Sequence, residues 1–222
     1  GGEWRVEKQR LRWDVLDAFG QAARPAGIPA TEDFNTGHNE GVGYFEVNQR
    51  RGVRWNASKA FLRPVAGRPN LQVWTRAQVR RLLLERGPDG ALRCSGIELQ
   101  PAPGAPRWAQ ATRGVVLAAG AVGTPQILQL SGIGPAALLR EHAIEVRHES
   151  PGVGENLQDH LQIRAVFGVE GVKTLNTQAN SIFGKAMIGL EYLLRRSGPM
   201  SMAPSQLGAF TRSSAAYEWP NV

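Results

Sequence analysis

The chain has 222 residues, with 26 Lys+Arg against 19 Asp+Glu, a formal net charge of +7, 42% hydrophobic residues and one Cys. This apolar content excludes an intrinsically disordered chain, and the single Cys excludes a disulfide framework or a multi-Cys metal site. The longest apolar runs, such as residues 115–119, are too short to span a bilayer, and the length suits one large domain or parts of two.

Residues 13–23 read as a helix, with Leu16, Phe19, Ala22 and Ala23 on one face and Pro25 and Gly27 as the stop. Residues 31–43, rich in Gly, Asn and acidic side chains, read as a loop, and 44–48 as a short strand. Asn56 or Ser58 is the expected cap of a brief helix through Leu62 that Pro64 ends. From residue 70 the period turns to that of sheet. Strands are expected over 71–75, 78–86 and 92–100, the last two joined by the turn Gly87-Pro88-Asp89-Gly90. Residues 101–106 carry three prolines and read as a loop, and 114–119 as a strand buried on both faces. Helices are expected over 124–130, with Pro125 in the first turn, and over 135–142. A short strand over 144–147, an irregular stretch over 151–158 and an alternating strand over 161–169 come next. An amphipathic helix over 183–195, ended by Gly198-Pro199, and a strand over 206–212 complete the chain. The order predicts an α+β fold, with a β-meander and a strand-to-helix unit in the first two-thirds.

Few of the usual chemical motifs are present. His38, His142, His148 and His160 form no i, i+4 pair and no His-Glu-x-x-His, so no metal site is expected. There is no Gly-x-Ser-x-Gly elbow, and Cys94 reads as a small apolar filler in a strand. Asn56-Ala57-Ser58 matches a glycosylation sequon by chance, since nothing indicates secretion. Gly132-Ile133-Gly134-Pro135-Ala136-Ala137 fits G-x-G-x-x-A. It follows a helix rather than a buried strand, so it is not read as a dinucleotide loop. The surplus of Arg is a general basic footprint. It is spread along the chain, with short pairs at Arg50-Arg51, Arg80-Arg81 and Arg195-Arg196, so no nucleic-acid partner is expected. The start Gly-Gly-Glu-Trp, without Met or signal segment, is expected of an excised piece or a fusion scar.

The strongest feature is the string Gly120-Ala121-Val122-Gly123-Thr124-Pro125-Gln126-Ile127-Leu128-Gln129-Leu130-Ser131-Gly132-Ile133-Gly134-Pro135. Physically it reads as a strand ending in Ala119-Gly120, a turn of small residues that lets a backbone or ligand approach closely, and a helix start. It closely resembles the second signature of the glucose–methanol–choline (GMC) oxidoreductases, G-A-x-x-[ST]-P-x-two aliphatics-x-x-S-G-x-G. The flanks agree. Gly52-Val53-Arg54 through Pro64, Arg68-Pro69-Asn70-Leu71-Gln72-Val73, Ala77-Gln78-Val79, Pro151 through His160, and Gly198-Pro199 through Gly208-Ala209-Phe210 each resemble a segment of that family in order.

The resemblance implies the middle portion of such an enzyme, somewhat under half of it. The family's phosphate-binding G-x-G-x-x-G unit, its first signature and its catalytic His with a His or Asn partner are not among these residues, so no catalytic residue is assigned. It implies three segments: 1–50 on the substrate side, 51–160 as part of the FAD domain, and 161–222 on the substrate side again. It implies an activity: oxidation of a small-molecule alcohol, with hydride passing to the flavin of FAD. It implies contacts: Val79 meets the adenine of FAD through its backbone, Gly120 and Ala121 lie where the strand ends near the nucleotide, and Gln206 faces the substrate cavity. The neutral amide of Gln206 offers no counter-charge to a quaternary ammonium group, which argues against choline. Asn156, Asp159 and His160 read as turn and helix-end capping rather than site contacts. The expected location is cytoplasmic, with peripheral membrane association compatible; the oligomeric state is left open. Two alternatives stand beside this reading, a hydroxynitrile-lyase relative in the same family and a non-enzymatic basic binding module. The 222 residues are expected neither to hold FAD tightly nor to oxidise alcohols unaided.

Overall fold

The structure, a computed structural model, describes residues 2–222. It contains two compact units, one from Gln72 to Ala165, the other drawn from the chain up to Leu71 together with Val166–Val222.

The unit Gln72–Ala165 is built on a three-stranded antiparallel meander, Ala77–Arg86, Leu92–Pro101 and Arg107–Gln110, in that spatial order. The first two strands are joined as the turn chemistry predicts. Gly90 takes φ +76, the Gly90 amide donates to the Gly87 carbonyl at 2.9 Å, and the Asp89 carboxylate accepts from the Ala91 amide at 3.1 Å. The register shifts between Val79 and Arg81 and again between Leu83 and Leu84, so each shift leaves a bulge. Leu82 and Leu99 are buried core residues, and the nearly buried Glu98 carboxylate accepts from Arg81 across the ladder at 2.8 Å.

The first of the three expected strands is absent, and another segment completes the meander. Residues 71–75 form no ladder, and Val73 and Trp74 are exposed, whereas Arg107–Gln110, just past Pro106, supplies the third strand. The four residues Arg-Trp-Ala-Gln carry too little alternation to announce a strand, and pairing with residues 96–99 makes one. Residues 114–119 form no strand either. Among the described residues no partner flanks them, and Val116 is 92% exposed. The helix expected at 124 begins at Gly120 and runs to Leu130, with Pro125 inside it. The ring is tolerated there at the loss of one helical hydrogen bond, the one that would reach the Ala121 carbonyl. The helix packs on the strand Ala77–Arg86 and buries Ile127. Beyond it, Ile133–Gly134 pairs in parallel with His148–Glu149, later in the chain than the expected 144–147, and the helix Ala136–Glu141 buries Leu139 to 1% exposure. The alternating residues 161–169 form no strand, and Leu161, Ile163, Val166 and Phe167 stand in solvent.

In the other unit the helix Asp14–Ala23 forms as predicted, although Phe19 of its expected apolar face is exposed, while Trp13 and Ala23 are buried. The strand expected at 44–48 is broken into Gly41–Tyr44, Glu46–Val47 and Gln49–Arg50. The first of these pairs antiparallel with Leu207–Phe210, closing the unit across most of its sequence. Gly208 lies directly under the Phe45 ring, where any Cβ would collide, and Phe34, Phe45 and Phe210 cluster beside it with centroids 5.1–6.3 Å apart. Gln49–Arg50 and Val53–Arg54 are joined by Arg51-Gly52, both at positive φ, the backbone of a type I′ hairpin; the Glu7 carboxylate accepts the Arg51 amide at 2.9 Å. Asn56 accepts from the Lys59 amide at 3.0 Å at the start of a π-helical turn, Ser58–Leu62, that continues through Pro64 as a 3₁₀ turn. The helix Ile182–Arg195 is capped by Ser181 and ends at Arg196 in the left-handed region. No helix is long and apolar enough to cross a membrane among the described residues.

Candidate functional site

Val79 sits on the strand Ala77–Arg86, half-buried, at the bulge. This strand is the edge of its sheet, so among the described residues its outer row of N–H and C=O groups has no neighbouring strand. The far end of that edge is closed by side chains. Leu82 donates its amide to the Ser131 hydroxyl at 2.8 Å, and Leu84 accepts from the Arg147 guanidinium at 3.1 Å. Ser131, only 8% exposed, also donates to the Ile127 carbonyl at 2.6 Å, so one hydroxyl ties the helix end to the sheet edge. From residue 77 to the bulge no such closure is made except that the Gln78 amide donates to the Val79 carbonyl at 3.3 Å.

Ser131 belongs to the signature string, and the glycines after it have structural duties. Gly132 has φ +84, and a Cβ there would strike the Glu145 carbonyl. Its own carbonyl accepts from the Arg147 amide at 2.8 Å, which brings Arg147 to the sheet edge. Gln129 reaches the Val153 carbonyl at 3.1 Å, linking the string to the Pro151–His160 segment. The G-x-G-x-x-A of residues 132–137 thus leaves a helix and enters a two-residue ladder.

Gly120 and Ala121 form the first turn of the helix Gly120–Leu130, which has no side-chain N-cap. Both are exposed, Gly120 has φ +83, and a Cβ built on it meets nothing within 4 Å. The Ala119 amide is taken by the Thr124 hydroxyl at 3.1 Å, while the first helical N–H groups face outward without a side-chain acceptor. The structure brings the helix of Gly120 and Ala121 against the strand of Val79.

Gln206 lies in the other unit, at the start of the strand Leu207–Phe210. Its carbonyl accepts from the Phe45 amide at 2.9 Å and from the Gln9 side chain at 2.6 Å. Its own amide oxygen and that of Gln9 are buried without a hydrogen-bond partner. A cavity of about 500 Å³ beside this strand is lined by residues including Gln9, Arg12, Asp17, Thr31, Tyr44 and Leu207. On its wall Asp17 accepts from Arg12 at 2.8 Å and from the Tyr44 hydroxyl at 3.0 Å. The Arg12 hydrogen bond holds the Asp17 carboxyl below its ordinary range, and burial pushes the Tyr44 hydroxyl above its own. The linked Arg12, Asp17 and Tyr44 were not legible in sequence, since nothing local pairs residues so far apart. Ser131 was visible as a letter of the string but not as a clamp.

Asn156 adopts the left-handed region and Asp159 accepts the His160 amide at 2.8 Å, which are turn-forming contacts. Cys94 is half-buried in its strand with its thiol 3.4 Å from the Gly96 carbonyl.

The sequence model of the GMC oxidoreductases matches residues 5–162. The chain is 38% identical over 221 residues to an oxygen-dependent choline dehydrogenase of Brucella anthropi, covering 100% of this chain and 39% of that protein. It is 36% identical over 223 residues to an alcohol dehydrogenase [acceptor] of Pseudomonas putida, again covering 39% of it. Among solved structures it is similar to an FAD-dependent oxidoreductase from Chaetomium thermophilum, with a TM-score of 0.80 at 26% identity, over 95% of this chain and 36% of that one. The chain therefore spans about 39% of the length of the curated relatives it matches.

Proposed function

This chain belongs to the GMC oxidoreductase family, and on that premise we propose that it is the central part of an FAD-dependent enzyme that oxidises the CH–OH group of a small-molecule alcohol. The printed names of the relatives, choline and alcohol dehydrogenases, support an alcohol as substrate. The neutral amide of Gln206 carries no counter-charge for a quaternary ammonium group, which favours an uncharged alcohol. Bound FAD supplies the acceptor for the hydride that leaves the alcohol carbon. No residue of this chain is assigned as the base that takes the hydroxyl proton. Residues 51–160 are assigned to the flavin side, and 1–50 and 161–222 to the substrate side.

One observation carries the cofactor part of this reading: the strand bearing Val79 is a sheet edge that Ser131 and Arg147 close beyond the bulge, while before it the one side-chain contact is the Gln78 amide on the Val79 carbonyl. An open β edge presents a main-chain donor and acceptor that can pair with the edge of an adenine ring without any polar side chain. Gly120, with open space where a side chain would stand, leaves room for a nucleotide to approach the first turn of its helix. These residues fit the adenine portion of FAD. They offer no phosphate loop and no flavin-ring contact, so the 222 residues should bind the nucleotide weakly.

The test is a titration of the isotope-labelled chain with AMP, followed by amide NMR shifts. Millimolar AMP is expected to move the amides of residues 77–81 and 119–122 and few others. Shifts absent from Val79 would overturn the adenine reading, and stoichiometric yellow flavin surviving gel filtration of this chain would overturn the expectation of weak binding.

A further inference from the structure

Resting on the adenine reading of Val79, we infer that Ser131 is a positioning residue for nucleotide binding, acting through the backbone of the edge strand. Leu82 is three residues from Val79 on the same strand, and its amide is the first main-chain group beyond the bulge that a side chain satisfies. Both groups of this bond are buried, Ser131 at 8% and Leu82 at 8% exposure. The hydroxyl donates to Ile127 at 2.6 Å while accepting from Leu82 at 2.8 Å, so its orientation is fixed from both sides. An edge strand next to a bulge is free to twist. Anchored at Leu82 to a helix end that Gly132 seats against Glu145, it presents Val79 in one orientation. Removing only the oxygen leaves the Leu82 amide buried and unpaired, and the strand must turn or fray to hydrate it.

A side chain that merely stabilises the helix end would affect melting and nothing else. The neighbouring Gln129 provides that comparison. It bonds the same helix to the Val153 carbonyl at 3.1 Å and makes no bond to the edge strand.

The experiment is AMP affinity, read from the Val79 amide shift, in the 222-residue chain and its Ser131→Ala, Ser131→Thr and Gln129→Ala variants, with melting temperatures alongside. Ser131→Ala is expected to weaken AMP about tenfold, the scale of one unpaired buried amide. Ser131→Thr, which keeps the hydroxyl, is expected to recover most of that loss. Gln129→Ala is expected to lower the melting temperature while leaving AMP affinity within about twofold. If Ser131→Ala binds AMP as the parent does, or if Gln129→Ala weakens AMP equally, the inference falls while the adenine reading stands. If the parent chain shows no shift at Val79, the adenine reading itself fails.

Discussion

Residues 78–86 and 92–100 read as strands from their own sequence, as do residues 161–169, and the two regions end in opposite conditions. In the first region each strand meets its partner across a short connection, Gly87-Pro88-Asp89-Gly90 in one case, and Leu99 is left 2% exposed. In the second no ladder forms and Ile163 is 89% exposed. Residues 114–119 share the second condition, with Val116 in solvent. The difference teaches that a period of two encodes which face a strand would bury, not that it has a neighbour. A strand exists where a second backbone is within reach to take its N–H and C=O groups.

The largest expected effect sets the two regions directly against each other. Leu99→Ala removes a core side chain from the central strand of the meander and is expected to cost about 3 kcal/mol. Ile163→Ala, an equal truncation in apolar character, is expected to stay within about 0.5 kcal/mol. Urea midpoints at unchanged m-value measure both. A cost for Ile163→Ala near that of Leu99→Ala would break the comparison, because it would mean that residues 161–169 pair in solution.

The second effect separates close packing from backbone conformation at two glycines of one string. Gly132 and Gly120 have nearly the same φ, +84 and +83, but a Cβ at Gly132 would strike Glu145 and Arg147, whereas one at Gly120 meets nothing. Gly120→Ala is expected to cost about 1 kcal/mol, from left-handed strain alone. Gly132→Ala is expected to cost about 2 kcal/mol or more, because overpacking adds to the same strain. Thermal unfolding decides it. Equal losses would mean that the signature glycines are kept for conformation only.

Legibility followed locality. The helices near 13–23 and 183–195 were readable because their spacing and stops lie within the segment, and so was the Gly87–Gly90 hairpin. The third meander strand was not, because Arg107–Gln110 has no pattern of its own and becomes a strand through residues 96–99. The start of the signature helix was missed because Pro125 reads as a first-turn residue, while the helix extends back to Gly120 at the loss of one bond. Of the candidate site, Val79, Gly120, Ala121 and Gln206 came from family resemblance. The geometry adds what resemblance does not contain: that the strand of Val79 is a sheet edge, and that Ser131 and Arg147 close that edge beyond the bulge.

The smallest effect belongs to a polar link that finds its partners within its own unit, as the meander does with apolar ones. Asp17 on the helix Asp14–Ala23 accepts from Arg12 and from Tyr44 of the strand Gly41–Tyr44. Its carboxyl is held below the ordinary range, first by the Arg12 hydrogen bond and then by Tyr44, against the opposing cost of burial. A depressed pKa in the folded state means that the contribution is present above the unfolded carboxyl range, near about 3.9, and is lost as pH falls through the lower folded value. Asp17→Asn should therefore melt below the parent at neutral pH, and the gap should narrow as the solution is acidified through that window. Arg12 is well exposed, so the neutral-pH difference is expected to be under about 1 kcal/mol and to shrink further in high salt. A gap that persists unchanged in acid would show that the loss on substitution does not come from the charge of Asp17, and the carboxylate would lose its place in joining the helix to the strand.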